Sequence, residues 1–137
     1  MEPKPWKLAK KTIGDGLDAY NKAQVEALGV AYKDTQFIAG ARDAAGALIG
    51  GFWCYVYFDT CFLKWAWVGE AARGQDVGSK LMALCEDEAR KRGASVMFLD
   101  TFSFQARPFY EKLGFKAFGT LRHGAGGIKR HWMAKAL

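Results

Sequence analysis

Two stretches of this 137-residue sequence bring together residue types that can do chemistry. The first is Trp67-Val68-Gly69-Glu70-Ala71-Ala72-Arg73-Gly74-Gln75-Asp76-Val77-Gly78-Ser79, which leaves a strand-like run and enters helical spacing through glycines. The opening N–H groups of a helix lack intrahelical partners and carry the positive end of its dipole. A phosphate docked there would satisfy donors and charge together, and Gly74 and Gly78 would let the backbone approach it closely. A glycine-bearing turn of this kind also serves simply to redirect the chain. The lysine of a phosphate-loop NTPase and the GxGxxG of a dinucleotide fold are both missing, which disfavours nucleotide hydrolysis and hydride transfer.

The second stretch runs from Leu99 through Asp100, Ser103, Gln105 and Ala106 to Phe109-Tyr110-Glu111-Lys112-Leu113-Gly114-Phe115. Tyr110 stands beside Phe109 and Phe115, where an aromatic residue more often packs than does chemistry. Asp100 offers a carboxylate that could take a proton through water, with Glu70 as a second candidate. Cys54, Cys61 and Cys85 lie within apolar patterns, without zinc-site spacing or a secreted disulfide framework, and read as reduced, buried thiols. His123 and His131 lie far apart with no third partner at ligand spacing, so no metal is expected and both read as surface or loop residues. Trp53, Tyr55, Tyr57, Trp65 and Trp67 read chiefly as core, with one alternating face free to line a pocket for an apolar or cationic group.

These groups sit in a chain that is half hydrophobic, one quarter charged and 15% aromatic, with a formal charge of +6. Such a chain folds without metals or disulfides, and its charge favours anionic partners. The basic residues are scattered apart from the first dozen residues and the tail from Lys129 to Lys135, so nucleic-acid binding is not expected. The apolar run from Gly50 to Val68 is broken by Asp59 and Lys64, and no signal-peptide core follows the N-terminus, so neither a membrane span nor export is expected and the location is read as cytoplasmic.

The elements that would position the two stretches follow from hydrophobic period and punctuation. Residues 1–11 read as a frayed lead-in that feeds a short strand near Ile13, followed by a helix from Gly16 to Leu28 ended by Gly29. Thr35 to Arg42, Ala47 to Phe58 and Cys61 to Val68 read as three antiparallel strands, the first two joined by a turn at Asp43-Ala44-Ala45-Gly46. From Val77 the apolar spacing becomes helical, with Arg90, Lys91 and Arg92 at the negative end of the dipole and Gly93 as the stop. Ala94 to Thr101 reads as a buried strand, so that helix is a crossover. A short helix opened by Pro108 and two last strands, Phe115 to Leu121 and Arg130 to Ala136, complete one mixed α/β layer structure.

The pattern Ala106, Phe109-Tyr110 and Glu111-Lys-Leu-Gly-Phe115 resembles the strand-plus-helix segment of the GNAT N-acetyltransferases. The glycine loop before it is similar to the family's Arg/Gln-x-x-Gly-x-Gly/Ala motif, and the order of elements agrees from about Ile13 to Leu137. The resemblance implies a single GNAT domain over residues 1–137, with a central, mostly antiparallel sheet of six to seven strands, a splayed cofactor cleft and flanking helices.

It also implies direct attack of a neutral amine on the thioester of acetyl-coenzyme A, with no covalent enzyme intermediate and no metal. The pyrophosphate would lie on Arg73, Gly74, Gln75, Asp76, Val77, Gly78 and Ser79. The pantetheine arm would follow Ala66, Trp67 and Val68, the Val68 N–H polarising the thioester carbonyl. Tyr110 would hydrogen-bond the thioester sulfur and protonate the departing thiolate. Asp76 stands where the family usually has glycine, either repelling the pyrophosphate or capping the helix. Ser103 stands where many members carry an asparagine for the pantetheine amide, with Gln105 as a substitute. Phe98 stands where some members carry a glutamate base, which leaves Asp100 on the same strand face as the expected base. The acceptor is read as a small-molecule amine, with a peptide amine or a non-catalytic acyl-coenzyme A sensor as alternatives, and exposed edge strands would permit a homodimer.

Overall fold

A computed structural model describes residues 6–32 and 34–137. The chain forms two compact units, Met1–Lys33 and Asp34–Leu137. In the first, α1 spans Trp6–Ala27 as one amphipathic helix. The strand expected near Ile13 is therefore absent: the β-branched pair Thr12-Ile13 is outweighed by the Leu, Ala, Lys and Gln residues around it, which favour a helix over this length. Residues 6–11 of the expected lead-in belong to the same helix, and residues 1–5 lie outside the described residues. Gly29 ends it in the left-handed region (φ 72°), with Val30 N–H donating to the Val25 carbonyl.

The second unit is a six-stranded sheet with two helices. Its strands are β1 (Asp34–Arg42), β2 (Leu48–Tyr57), β3 (Thr60–Val68), β4 (Val96–Phe102), β5 (Lys116–Arg122) and β6 (Lys129–Ala136). Their order is β1-β2-β3-β4-β6-β5, and every neighbouring pair is antiparallel except β3 with β4. That parallel pair requires the crossover supplied by α2 (Val77–Lys91). The β1–β2 turn closes on its own side chain: Asp43 Oδ1 accepts from the Ala45 and Ala47 N–H groups, each at 2.9 Å.

The core lies between the sheet and α2. Phe52, Cys54 and Val56 of β2, Cys61 and Leu63 of β3, and Met97 and Leu99 of β4 meet Leu81, Met82, Cys85 and Ala89 of α2. All three cysteines are buried and free, and hydrogen bonding with Cys61 and then Cys85, together with burial, pushes the Cys54 thiol upward, which keeps it protonated. Trp53, Tyr55 and Tyr57 alternate with the core residues of β2, so they point to the opposite face, where Tyr55 stacks on Tyr57 and Trp53 packs tilted against Tyr55 and edge-on against Trp65. Trp65 and Trp67 are 65% and 52% exposed, so the core role expected for this aromatic set falls to Phe52 instead.

Helix ends supply the remaining precision. Gly93 (φ 89°) closes α2 with Ala94 N–H on the Ala89 carbonyl and Gly93 N–H on the Arg90 carbonyl, a Schellman motif. The same motif closes α3 (Arg107–Lys112): Phe115 N–H donates to the Tyr110 carbonyl and Gly114 N–H to that of Glu111, each at 3.0 Å. Gly114 has φ 94°, and the Phe115 ring packs edge-on against Tyr110 at 5.9 Å. The run from Tyr110 to Phe115 is thus a helix stop whose hydrophobic clasp fixes Tyr110.

Candidate active site

Strands β3 and β4 begin side by side and then part. They pair from Thr60 with Val96 to Leu63 with Leu99 and no further. Lys64 is the extra residue of a bulge against β2, where the register jumps between Trp53/Trp65 and Cys54/Leu63. A bulge bends its strand and increases the local twist, and this one falls where β3 leaves β4. The separation exposes backbone. Gly69 N–H donates to the Ile49 carbonyl, so Ile49 and Gly69 form a hydrogen-bonded pair. Antiparallel partners alternate between bonded and non-bonded pairs, so the Gly50/Val68 and Phe52/Ala66 pairs are non-bonded. The N–H groups of Ala66 and Val68 therefore point away from β2, toward the space β4 has left.

One cavity, of about 620 Å³, lies between this edge and the start of α2. Ala66, Trp67 and Val68 form one wall, and Arg73, Gly74, Asp76, Val77, Gly78 and Ser79 form another. The first intrahelical bond that begins α2 runs from Lys80 N–H to the Asp76 carbonyl, which leaves the Val77, Gly78 and Ser79 amides as the orphan donors of the first turn. Asp76 occupies the cap position, yet its carboxylate makes no cap hydrogen bond. Its backbone is left-handed (φ 59°, ψ 15°), a conformation glycine adopts freely and Asp tolerates better than most residues. A Cβ on Gly78 would meet Phe109 Cζ at 3.2 Å, so glycine there admits the α3 aromatic against the helix start.

Arg73 braces the loop, its Nε donating to the Val68 carbonyl at 3.1 Å and its own N–H to Glu70. Gln75 donates to the Ala71 carbonyl and does not line the cavity. Ser103 also lies outside it: its hydroxyl accepts from Lys129 N–H at 3.0 Å, joining β4 to β6. Gln105 lines the cavity instead, its Oε1 held by Phe102 N–H at 2.8 Å.

A second cavity, of about 690 Å³, opens on the other side of the same cleft. Phe62, Lys64 and Trp65 line it from β3, Asp100 and Phe102 from β4, and Arg130 from β6. Asp100 Oδ1 accepts from Arg130 Nε at 2.9 Å and Nη2 at 2.7 Å. Asp100 shares its strand face with Phe98, as period two requires. Glu70 lines neither cavity.

The two cavities share Ala66, Trp67, Gln105, Ala106 and Tyr110. The Tyr110 side chain is largely enclosed, and burial first, then the charge of Asp100, pushes its pKa up to about 12. Among the described residues the hydroxyl has no hydrogen-bond partner, yet none of their buried side-chain oxygens is left unpaired. The hydroxyl is therefore not sealed from open space, and Tyr110 lines both cavities.

His131, expected on the surface, is buried in β6, with Thr120 Oγ1 2.9 Å from its Nδ1 and Arg107 beside the ring. Burial, reinforced by Arg107 and Lys129, holds its pKa below the usual value. Among the described residues no group of three or more His, Cys, Asp or Glu side chains is placed to hold a metal. Arg130 is the site residue that sequence reasoning missed, because its pairing with Asp100 arises only when β6 is laid against β4.

Comparison with known proteins gives the class. The model of the acetyltransferase (GNAT) family matches residues 7–115. The chain is 34% identical to acetyltransferase Atu2258 of Agrobacterium fabrum over 127 residues, which cover 93% of this chain and 90% of that one. It is 32% identical to the blasticidin-S acetyltransferase of Streptomyces morookaense over 93 residues, or 67% and 68% of the two chains. A crystal structure of an acetyltransferase from Bacillus cereus superposes with a TM-score of 0.83 at 26% identity, covering 100% of this chain and 96% of that one. The chain belongs to the GNAT acetyltransferase family. No described helix is long and apolar enough to cross a membrane.

Proposed function

We propose that the protein moves an acetyl group from acetyl-coenzyme A to the primary amine of a small molecule by direct attack. The observation that carries this is the unpartnered Tyr110 hydroxyl at the junction of two cavities. In the first cavity the Val77, Gly78 and Ser79 amides take the pyrophosphate, with Arg73 and Gly74 beside it, and the Ala66 and Val68 N–H groups meet the pantetheine arm. Val68 N–H polarises the thioester carbonyl, and Tyr110 donates to the sulfur. The acceptor enters from the second cavity, where Asp100 takes its proton through water. Gln105 supplies the amide expected of position 103. The small-molecule class is supported by the name of the Streptomyces relative. Release of coenzyme A thiol, measured with a panel of amines, tests the reading. Tight coenzyme A binding without release from any amine would make the protein an acyl-coenzyme A sensor instead.

Asp76→Gly tightens coenzyme A by about three- to tenfold, as read by calorimetry at low salt. One charge at ~6 Å in water contributes about 0.7 kcal/mol per phosphate charge, and the left-handed backbone suits glycine. Unchanged affinity would show that the carboxylate points away from the phosphates.

Asp100→Asn lowers kcat/KM by about 10- to 100-fold and changes the shape of the pH–rate profile. It also moves the alkaline Tyr110 ionisation downward, because the Asp100 charge contributes to raising it. An unaltered profile would eliminate Asp100 as the base.

A further inference from the structure

We infer that the acceptor carries a carboxylate in addition to its amine, and that Arg130 holds that carboxylate; the inference rests on the acetyl-transfer reading above. The second cavity is lined by one carboxylate, Asp100, and by two cations, Lys64 and Arg130. Asp100 is already engaged by Arg130 through both contacts to Oδ1. A polycationic acceptor would find a single carboxylate, already paired with Arg130, and one uncompensated cation, Lys64, whose Nζ stands 5.9 Å from the Phe62 ring centroid. Among the described residues Lys64 joins no ion pair.

Arg130 is built to receive an anion. Its guanidinium packs against two aromatic rings, with Cζ 5.3 Å from the Phe102 centroid and 4.9 Å from that of Trp132. Asp100 fixes one edge of the fork, and the Nη1 side is left without a protein partner among the described residues. The side chain nevertheless remains 37% exposed. A planar cation held near two rings and fixed on one edge by Asp100 has given up part of its conformational freedom in advance. Its open edge then offers the paired N–H geometry that matches a carboxylate. The amine of the same molecule would reach toward Asp100 and Tyr110, which line the cavity with it. Phe62, Trp65 and Phe102 flank this path and suit an apolar or planar body.

The test uses the full chain with acetyl-coenzyme A and matched acceptors. Phenylalanine is set against phenethylamine, and the ω-amino acids from β-alanine to 6-aminohexanoate against the amines lacking their carboxyl group, with spermidine as the polycation. At least one carboxylate member is expected to exceed its plain partner about tenfold or more in kcat/KM, and spermidine to be poor. Arg130→Gln brings that ratio close to one, while Lys64→Gln, at an exposed position, reduces it about two- to fivefold. Plain amines that equal or surpass their carboxylate partners in every pair, or a ratio that survives Arg130→Gln, would overturn the inference. If no pair turns over, calorimetry of N-acetylphenylalanine against N-acetylphenethylamine on the coenzyme A-loaded protein decides it, equal affinities counting against it. Failure to bind coenzyme A at all would bring down the acetyl-transfer reading, and this inference with it; coenzyme A binding with no carboxylate preference removes this inference alone.

Discussion

Tyr110→Phe lowers kcat by about 100- to 1,000-fold and leaves coenzyme A affinity within about twofold. The substitution removes one oxygen and keeps the ring, so the contacts with Phe109 and Phe115 survive. What disappears is the donor at the junction of the cavities, and losing one donor aimed at developing charge costs about 10²–10³ in rate. The raised pKa bears on how the tyrosine would act in the proposed reaction. A phenol near 12 stands about 3.5 units above an ordinary thiol, so handing its proton fully to a free thiolate is uphill by roughly 5 kcal/mol. In the proposed reaction Tyr110 would therefore stabilise the departing sulfur chiefly by hydrogen bonding while the bond to carbon breaks, with proton transfer following the charge. The same shift keeps the hydroxyl protonated at every pH below about 12, so the wild-type rate has no alkaline decline from Tyr110 in the ordinary assay range. Single-turnover kinetics with the variant separates this effect from binding. A loss of less than threefold would end the donor role.

The parts of the fold that were legible in the sequence are those in which local and tertiary preferences agree. The stop glycines Gly29 and Gly93 mark true helix ends, because only residues that accept positive φ fit a Schellman closure. The period-two strands β1 to β4 and the crossover helix also fall within a few residues of expectation. Ile13 misled because two β-branched residues carry little weight inside a 22-residue helix. The aromatic ladder misled because a sheet face rich in Trp and Tyr has the same alternation whichever side faces α2. In the site, the glycine loop and Tyr110 could be read because each belongs to a contiguous motif. The Asp100–Arg130 pair could not, since it joins residues thirty apart across β4 and β6. Nor could Asp76 be weighed from residue type alone: its left-handed backbone explains why glycine suits the position, while its unbonded carboxylate removes the capping role.

Phe115→Ala is expected to destabilise the protein by about 3–5 kcal/mol and to reduce activity beyond that loss. Phe115 is 2% exposed, and removing a buried phenylalanine forfeits its transfer energy and leaves a cavity. A loss of that size lowers the melting temperature by on the order of 10 °C in a chain of this length. The functional part follows from the helix stop that places Tyr110. Phe115 is the residue after the left-handed Gly114, and its ring is the hydrophobic half of the motif, resting on Tyr110. Without it the Tyr110 ring gains room to rotate, and a hydroxyl displaced by about 1 Å from the sulfur costs up to 100-fold. Phe115→Leu separates the two consequences, since it restores much of the buried volume without the edge-on aromatic contact. The expected order for kcat, measured well below each melting transition, is wild type, then Leu, then Ala. If Phe115→Ala keeps the wild-type kcat at low temperature, the clasp contributes stability alone and Tyr110 is positioned by β4 and α3 without it.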